Sequence, residues 1–241
     1  MTLRAEKGKF YLYENNYHSQ CLDLVHWGIN LPSSVGIKNI SKQERNMIKL
    51  PIVQYSVLIG IMLSDGYLGF NNRSKNVHLH FMQSLKNSNY LWFVFYLLAH
   101  YCSSSPYYYT RTRDGVFSYG VGFFTRALPC LTEIYHLFYE NNKKIVPHNI
   151  FELLSPIALA HMIMGDGSSR EYGLEICTDS YSLQDTLKLL NVLIIRYQLN
   201  CTLHKKRAGQ YRLYISSKSM PLLRSIVSPY MHSSMLYKIG L

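Results

Sequence analysis

Hydrophobic and polar positions follow two different periods along the chain, and the succession of periods occurs twice. Residues 57–63, VLIGIML, are apolar on every side and stop at Ser64-Asp65-Gly66. Residues 159–164, LAHMIM, stop in the same way at Gly165-Asp166-Gly167. A helix that is apolar all round belongs in a core. After each Asp-Gly the period drops to two, the signature of a strand. Val77, Leu79 and Phe81 then oppose His78 and His80, and Glu175, Cys177 and Asp179 share one face.

Helical spacing returns over 87–101 and 182–198. Each stretch leads into a basic hairpin, 107–124 turning at Asp114-Gly115 and 202–216 turning at Ala208-Gly209. A closing helix starts near Pro129 and again near Pro221. The order is αββαββα, twice: an α+β fold with antiparallel sheets.

The repeat holds at the level of single residues. Asp65 and Asp166 are 101 positions apart. YGVGFFTRALPCL (119–131) aligns with YRLYISSKSMPLL (211–223), pairing Tyr119 with Tyr211, Arg126 with Lys218 and Pro129 with Pro221. Lys144-Ile145 then pairs with Lys238-Ile239. Three landmarks in one order, twice, imply two pseudo-symmetric modules, 51–150 and 151–241, behind a helical extension over 1–50.

Charge narrows the partner. The 241 residues carry 25 Lys and Arg against 14 Asp and Glu, a net +11, which favours nucleic acid before an anionic membrane. The longest apolar run, YLWFVFYLLAHYC, is too short for a comfortable membrane span and reads as a core helix. Five cysteines, Cys21, Cys102, Cys130, Cys177 and Cys201, lie far apart with no CxxC pair, so reduced thiols are expected. No HExxH pattern occurs. The first residues lack the apolar centre of a signal peptide, so a soluble protein without a leader is expected.

An Asp at a helix C-terminus faces the negative end of the helix dipole and needs a reason. One Asp-Gly pair is explained as a turn. Two at pseudo-symmetric positions are better explained as a pair. A two-fold relation brings Asp65 and Asp166 together, with nearby carbonyls, those of Ser64 and Gly165, completing a hard oxygen site. Without a cation the paired carboxylates repel; with Mg²⁺ their proximity becomes binding energy. Such sites suit phosphodiester hydrolysis. Gly60 and Ser64 form a stripe of small residues that admits a close helix partner.

LIGIMLSDG (58–66) and LAHMIMGDG (159–167) resemble the two motifs of the LAGLIDADG homing endonucleases in their single-chain form. YENNKKIVPHNI, SPIALAHMIMGDG, YQLNCTLHK and SPYMHSSMLYKIGL are similar to the omega-type intron endonucleases of yeast mitochondria. The resemblance covers roughly residues 55 to 241. It implies a monomer whose two motif helices pack centrally and whose antiparallel sheets form a DNA-binding saddle. Asp65 and Asp166 would be the metal-binding carboxylates, and Lys144 and Lys238 the catalytic lysines beside the cut phosphates. It further implies Mg²⁺, with Mn²⁺ able to substitute, cleavage of both strands of a long double-stranded DNA site, short 3′ overhangs, and an organelle-encoded mitochondrial origin without a transit peptide.

On such a saddle one strand face enters the major groove. The expected readers are Arg73, Lys75, His78, His80, Gln83, Arg111 and Arg113 in the first module. In the second they are Arg170, Glu175, Asp179, Lys205, Arg207, Gln210 and Arg212. The halves differ in charge pattern, which implies a non-palindromic site. Many of these residues would touch phosphate only. The alternative on the same scaffold is an RNA maturase that helps its intron splice, because both partners are polyanions.

Overall fold

The structure, a computed structural model, describes residues 5–6, 9–10, 31–71, 74–113, 115–207 and 209–241; for Ala5, Glu6, Lys9, Phe10, Arg113 and Val116 it describes the backbone alone. Arg73, Cys21 and the first residue of each expected turn pair, Asp114 and Ala208, therefore lie outside the described residues. The elements occur in the expected order. The first series is α1 (Ile52–Met62), β1 (Tyr67–Phe70), β2 (Val77–Ser84), α2 (Ser88–Leu98), β3 (Tyr107–Arg113), β4 (Val116–Phe124) and α3 (Pro129–Phe138). The second is α4 (Pro156–Asp166), β5 (Gly167–Arg170), β6 (Gly173–Cys177), α5 (Leu183–Ile195), β7 (Cys201–Arg207), β8 (Gln210–Ser216) and α6 (Met220–Val227). The sheets run β1-β2-β4-β3 and β5-β6-β8-β7, the same order twice. The α+β reading and its αββαββα repeat hold throughout.

Both hairpins turn where Gly is required. Gly115 and Gly209 have φ of +78° and +74°, a conformation that costs other residues strain. The flanking pairs are Arg113 with Val116, and Arg207 with Gln210.

Packing divides the chain into two compact units, Met1–Tyr55 with Gly69–Cys130, and Ser56–Leu68 with Leu131–Leu241. This division cuts across the repeat, since residues 56–68 open the first module by sequence yet pack in the second unit. In the first unit Leu79, Phe81, Val121 and Phe123 line the inner sheet face and are fully buried under Tyr90, Leu91, Val94 and Leu98 of α2. Phe123 meets Phe95 edge-on at 5.4 Å. In the second unit Leu174, Ile176, Leu213 and Ile215 do the same beneath Leu189, Val192 and Leu193 of α5.

The expected helical extension is described only in part. Residues Lys42–Met47 form one short helix, opened by a Ser41–Glu44 capping box. Ala5–Glu6 and Lys9–Phe10 pair as strands, so the described extension is not purely helical. Arg126 fastens residues 34–37 to the first unit by donating to the carbonyls of Ser34 (3.0 Å) and Ile37 (2.5 Å). Among the described residues, no helix is long and apolar enough to cross a membrane.

Candidate active site

The two motif helices end differently. Helix α4 starts at a Ser155 N-cap with Pro156 in the first turn, and it runs through to Asp166 as its last residue. Helix α1 is regular only to Met62. Ser64 and Gly66 then both donate to the Ile61 carbonyl, at 3.2 and 2.6 Å, and Asp65 sits in this tight turn rather than on the helix.

Small residues allow the helices to meet. A Cβ on Gly60 would collide with the Ala158 carbonyl and the Cβ of His161, and one on Gly165 would collide with the Ser64 side chain. At Gly165 the added atom would also lie 3.2 Å from Asp65 Oδ2. Gly165 thus leaves the space that lets the Asp65 turn approach the Asp166 helix end.

The carbonyls at these ends are covered by three side chains. Lys144 Nζ donates to Ser64 O (3.1 Å) and Gly66 O (2.9 Å), and Lys238 Nζ donates to Gly165 O (2.5 Å). The Tyr181 hydroxyl reaches Met62 O (3.3 Å) and Leu63 O (3.2 Å). The lysines arrive by different routes. Lys144 ends a two-residue hairpin whose turn, Asn141-Asn142, has φ of +50° and +61°. Lys238 lies in a 3₁₀ stretch, Ser233–Ile239, closed by left-handed Gly240. Sequence reasoning missed Tyr181; nothing in its neighbourhood marks it, because its partners are 118 and 119 residues away.

Electrostatics tie the four charged groups together. Burial, then the Asp65 charge, pushes the Asp166 carboxyl up to about 7 against the pull of Lys144 and Lys238. Burial lowers Lys144 to about 8 although Asp166 and Asp65 oppose it. Lys238 is lowered by burial too, with the same two carboxylates opposing. The two carboxylates are hard oxygen donors of the kind a divalent cation takes, while the neighbouring carbonyls accept from ammonium groups. The Ser64 and Gly165 carbonyls, expected as metal ligands, are the ones the lysines occupy. Among the described residues no group of three or more His, Cys, Asp and Glu comes together, so an ion here would draw on backbone oxygens and water.

Strand parity sorts the expected readers. His78 and His80 lie on the outward row of β2, opposite Leu79 and Phe81. Gln83 does not: it falls on the inward row, 7% exposed, and accepts from Asn87 Nδ2. The odd number that places it beside Phe81 was available in the sequence. Lys75 is exposed in the bend before β2, and Arg111 is exposed on β3. In the second sheet Glu175 is 4% exposed and accepts from Arg170 (2.7 Å), Arg212 (2.9 Å) and Lys206 (3.1 Å). Burial raises its pKa, but these bonds outweigh it and hold the carboxyl near 2. Asp179 is paired with Arg212 at 2.6 Å. Both carboxylates therefore brace arginines instead of presenting open acceptors. Lys205 pairs with Tyr211 on the inward-numbered row, whereas Lys206 reaches Glu175; a bulge between Lys205 and Arg207 shifts the alternation. Arg207 and Gln210 end the hairpin. A cleft of about 460 Å³ beside the site is lined by Asp166, Ser168, Arg170, Cys177 and Lys238.

The profile of the LAGLIDADG DNA endonuclease family matches residues 55–223. A cytochrome b mRNA maturase bI2 from Debaryomyces hansenii is 33% identical over 189 residues, 76% of this chain and 72% of the relative. A protein of the same name from Saccharomyces cerevisiae is 32% identical over 219 residues, 86% of this chain, but the chain spans only about half, 52%, of that relative. Among solved structures, the homing endonuclease I-WcaI bound to its DNA recognition sequence superposes with a TM-score of 0.76 at 24% identity, covering 84% of this chain and 96% of that one.

Proposed function

The chain belongs to the LAGLIDADG DNA endonuclease family, and from that premise we propose that it is a site-specific homing endonuclease. It hydrolyses both strands of a long, non-palindromic double-stranded DNA site as a monomer and leaves short 3′ overhangs. It uses a divalent cation, Mg²⁺ with Mn²⁺ able to substitute. The observation that carries this reading is the cluster of Asp65, Asp166, Lys144 and Lys238, whose charges act on one another at the paired motif-helix ends.

In this reading Asp65 and Asp166 would hold the cation, and the Ser64 and Gly165 carbonyls would join them as Lys144 and Lys238 release those oxygens for the scissile phosphates. Bound there, the cation supplies Lewis acidity, neutralising phosphate charge and acidifying water. The carboxylates orient the attacking water from the side of the cluster. Lys144 and Lys238 turn their ammonium donors to the charge that develops on the scissile phosphates. Tyr181 holds the turn that carries Asp65. The modules 51–150 and 151–241 each read half of the site. The gene is carried by an intron of a fungal mitochondrial genome.

A second reading, an intron RNA maturase on the same scaffold, is favoured by the name of the Debaryomyces hansenii relative. The test is a cleavage selection from a randomised duplex library with Mg²⁺, followed by Asp65→Asn and Asp166→Asn on the recovered site. Specific double-strand cutting lost in both variants supports the endonuclease. No enriched duplex, with specific binding of intron RNA, supports the maturase instead.

A further inference from the structure

The outward face of the first sheet differs from that of the second at symmetry-related positions. The repeat aligns Gly120 and Gly122 of β4 with Arg212 and Tyr214 of β8. Where the second sheet carries a braced guanidinium, the first has no side chain at all. Rings from the neighbouring strand fill the space. A Cβ on Gly120 would strike the Tyr109 ring, and one on Gly122 would come within 3.3 Å of the Tyr107 hydroxyl. Tyr107 stacks on Phe124 (5.5 Å, 8°), and Phe124 stacks on His80 (4.1 Å, 17°).

Two polar tips of this ridge bond to each other, and a third turns to the backbone. His80 Nε2 and the Tyr107 hydroxyl are 2.9 Å apart, and the Tyr109 hydroxyl faces the Gln83 carbonyl at 3.5 Å. His78 Nδ1 is buried. Burial lowers the pKa of both His78 and His80, which favours neutral rings. Phe124, central in the stack, is nevertheless 40% exposed. Charge stands at the margin, where Arg111 lies over the Tyr109 ring at 5.3 Å.

A major-groove floor offers hydrogen-bonding edges and one apolar feature, the C5-methyl of thymine. A face whose exposed centre is the Phe124 ring, flanked by His80 and Tyr107 bonded to each other, is suited to the second. Resting on the endonuclease reading, we infer that the His80–Phe124–Tyr107 ridge reads thymine methyl groups, so that one half of the target is recognised by apolar contact. The other half is read by the cations braced on Glu175. The marginal Arg111 favours a polyanion over a protein partner.

The experiment starts from duplexes enriched by binding to the full chain from a randomised library. Each half of the recovered site is then remade with deoxyuridine for thymidine, which removes the methyl and keeps base pairing. Binding should weaken about fourfold for each methyl in contact, in one half only. Phe124→Ala should abolish that penalty, while Arg212→Ala weakens binding to both duplexes and leaves the penalty in place. Deoxyuridine tolerated in both halves, or a penalty that survives Phe124→Ala, overturns the inference while leaving the endonuclease reading intact. Failure to enrich any duplex removes the endonuclease reading itself, and the inference with it. Tighter binding of uridine-rich single-stranded RNA, lost in Phe124→Ala, would make the ridge a stacking platform for RNA and also overturn it.

Discussion

The hydroxyl of Tyr181 lies 3.2 Å from the carbonyl oxygen of Leu63, two residues before Asp65. It also reaches Met62 O, so one side chain of the second module satisfies two carbonyls at the end of the first motif helix. A carboxylate needed in a fixed place sits in a turn held by that bond and by Lys144. Tyr181→Phe should lower stability by about 1 kcal/mol. It should slow single-turnover cleavage while leaving the DNA dissociation constant within about twofold. Equal losses of binding and cleavage would show that Tyr181 does not act through Asp65.

Asp65→Asn and Asp166→Asn should each abolish cutting while DNA binding persists. Without metal, at pH 8, either variant should melt at the same temperature as the native chain or higher, because a repelling pair has lost one charge. Added Mg²⁺ should raise the melting temperature of the native chain and not that of the variants. A clear fall in metal-free stability in both variants would refute the repelling pair.

Lys144→Ala should slow cutting more than it weakens binding. The variant exposes the Ser64 and Gly66 carbonyls, so a modest stability loss of about 1–2 kcal/mol is also expected. Cleavage rate at saturating protein, set beside equilibrium binding, separates the two effects.

Gly60→Ala tests the helix crossing. Its φ is ordinary, so backbone strain is not at issue, but the new methyl meets the Ala158 carbonyl. Overpacking of this kind costs about 1–3 kcal/mol. Thermal or denaturant unfolding should show the loss, and Gly36→Ala, with nothing within 4 Å of an added Cβ but φ of +90°, should cost less than that.

His161 supplies the pH dependence. It is 1% exposed, and burial lowers its pKa from 6.5 to about 3. The unfolded chain binds a proton below 6.5 that the folded chain refuses until about 3. Its stabilising contribution is therefore complete above 6.5 and lost as pH falls through that window, reaching about 2 kcal/mol by pH 5. The stability difference between the native chain and His161→Leu should shift by this amount between pH 7 and pH 5.

Much of this was legible because it is periodic or local. Alternation at Val77, Leu79 and Phe81 fixes the face of β2, and Asp114-Gly115 and Ala208-Gly209 fix both hairpins. The same alternation excludes Gln83, whose odd number places it inward. The bulge between Lys205 and Arg207 lies beyond such reasoning, since a one-residue slip leaves no trace in a polar run. Glu175 and Asp179 read as possible base contacts until Arg170, Lys206 and Arg212 are seen around them. Those partners come from three strands, and only the sheet register assembles them.

By itself the sequence determined the twofold αββαββα order and the equivalence of Asp65 with Asp166 and of Lys144 with Lys238. It did so because repeats and periods survive in one dimension. Tertiary structure alone decided that Asp65 sits in a turn while Asp166 ends its helix, that Lys144 covers two carbonyls and Lys238 one, and that Tyr181 caps the first motif helix. It also placed aromatic rings over Gly120 and Gly122 where the second copy has Arg212 and Tyr214. The site contacts join atoms more than seventy residues apart in the chain, and the ring placements follow from strand register; sequence spacing carries no information about either.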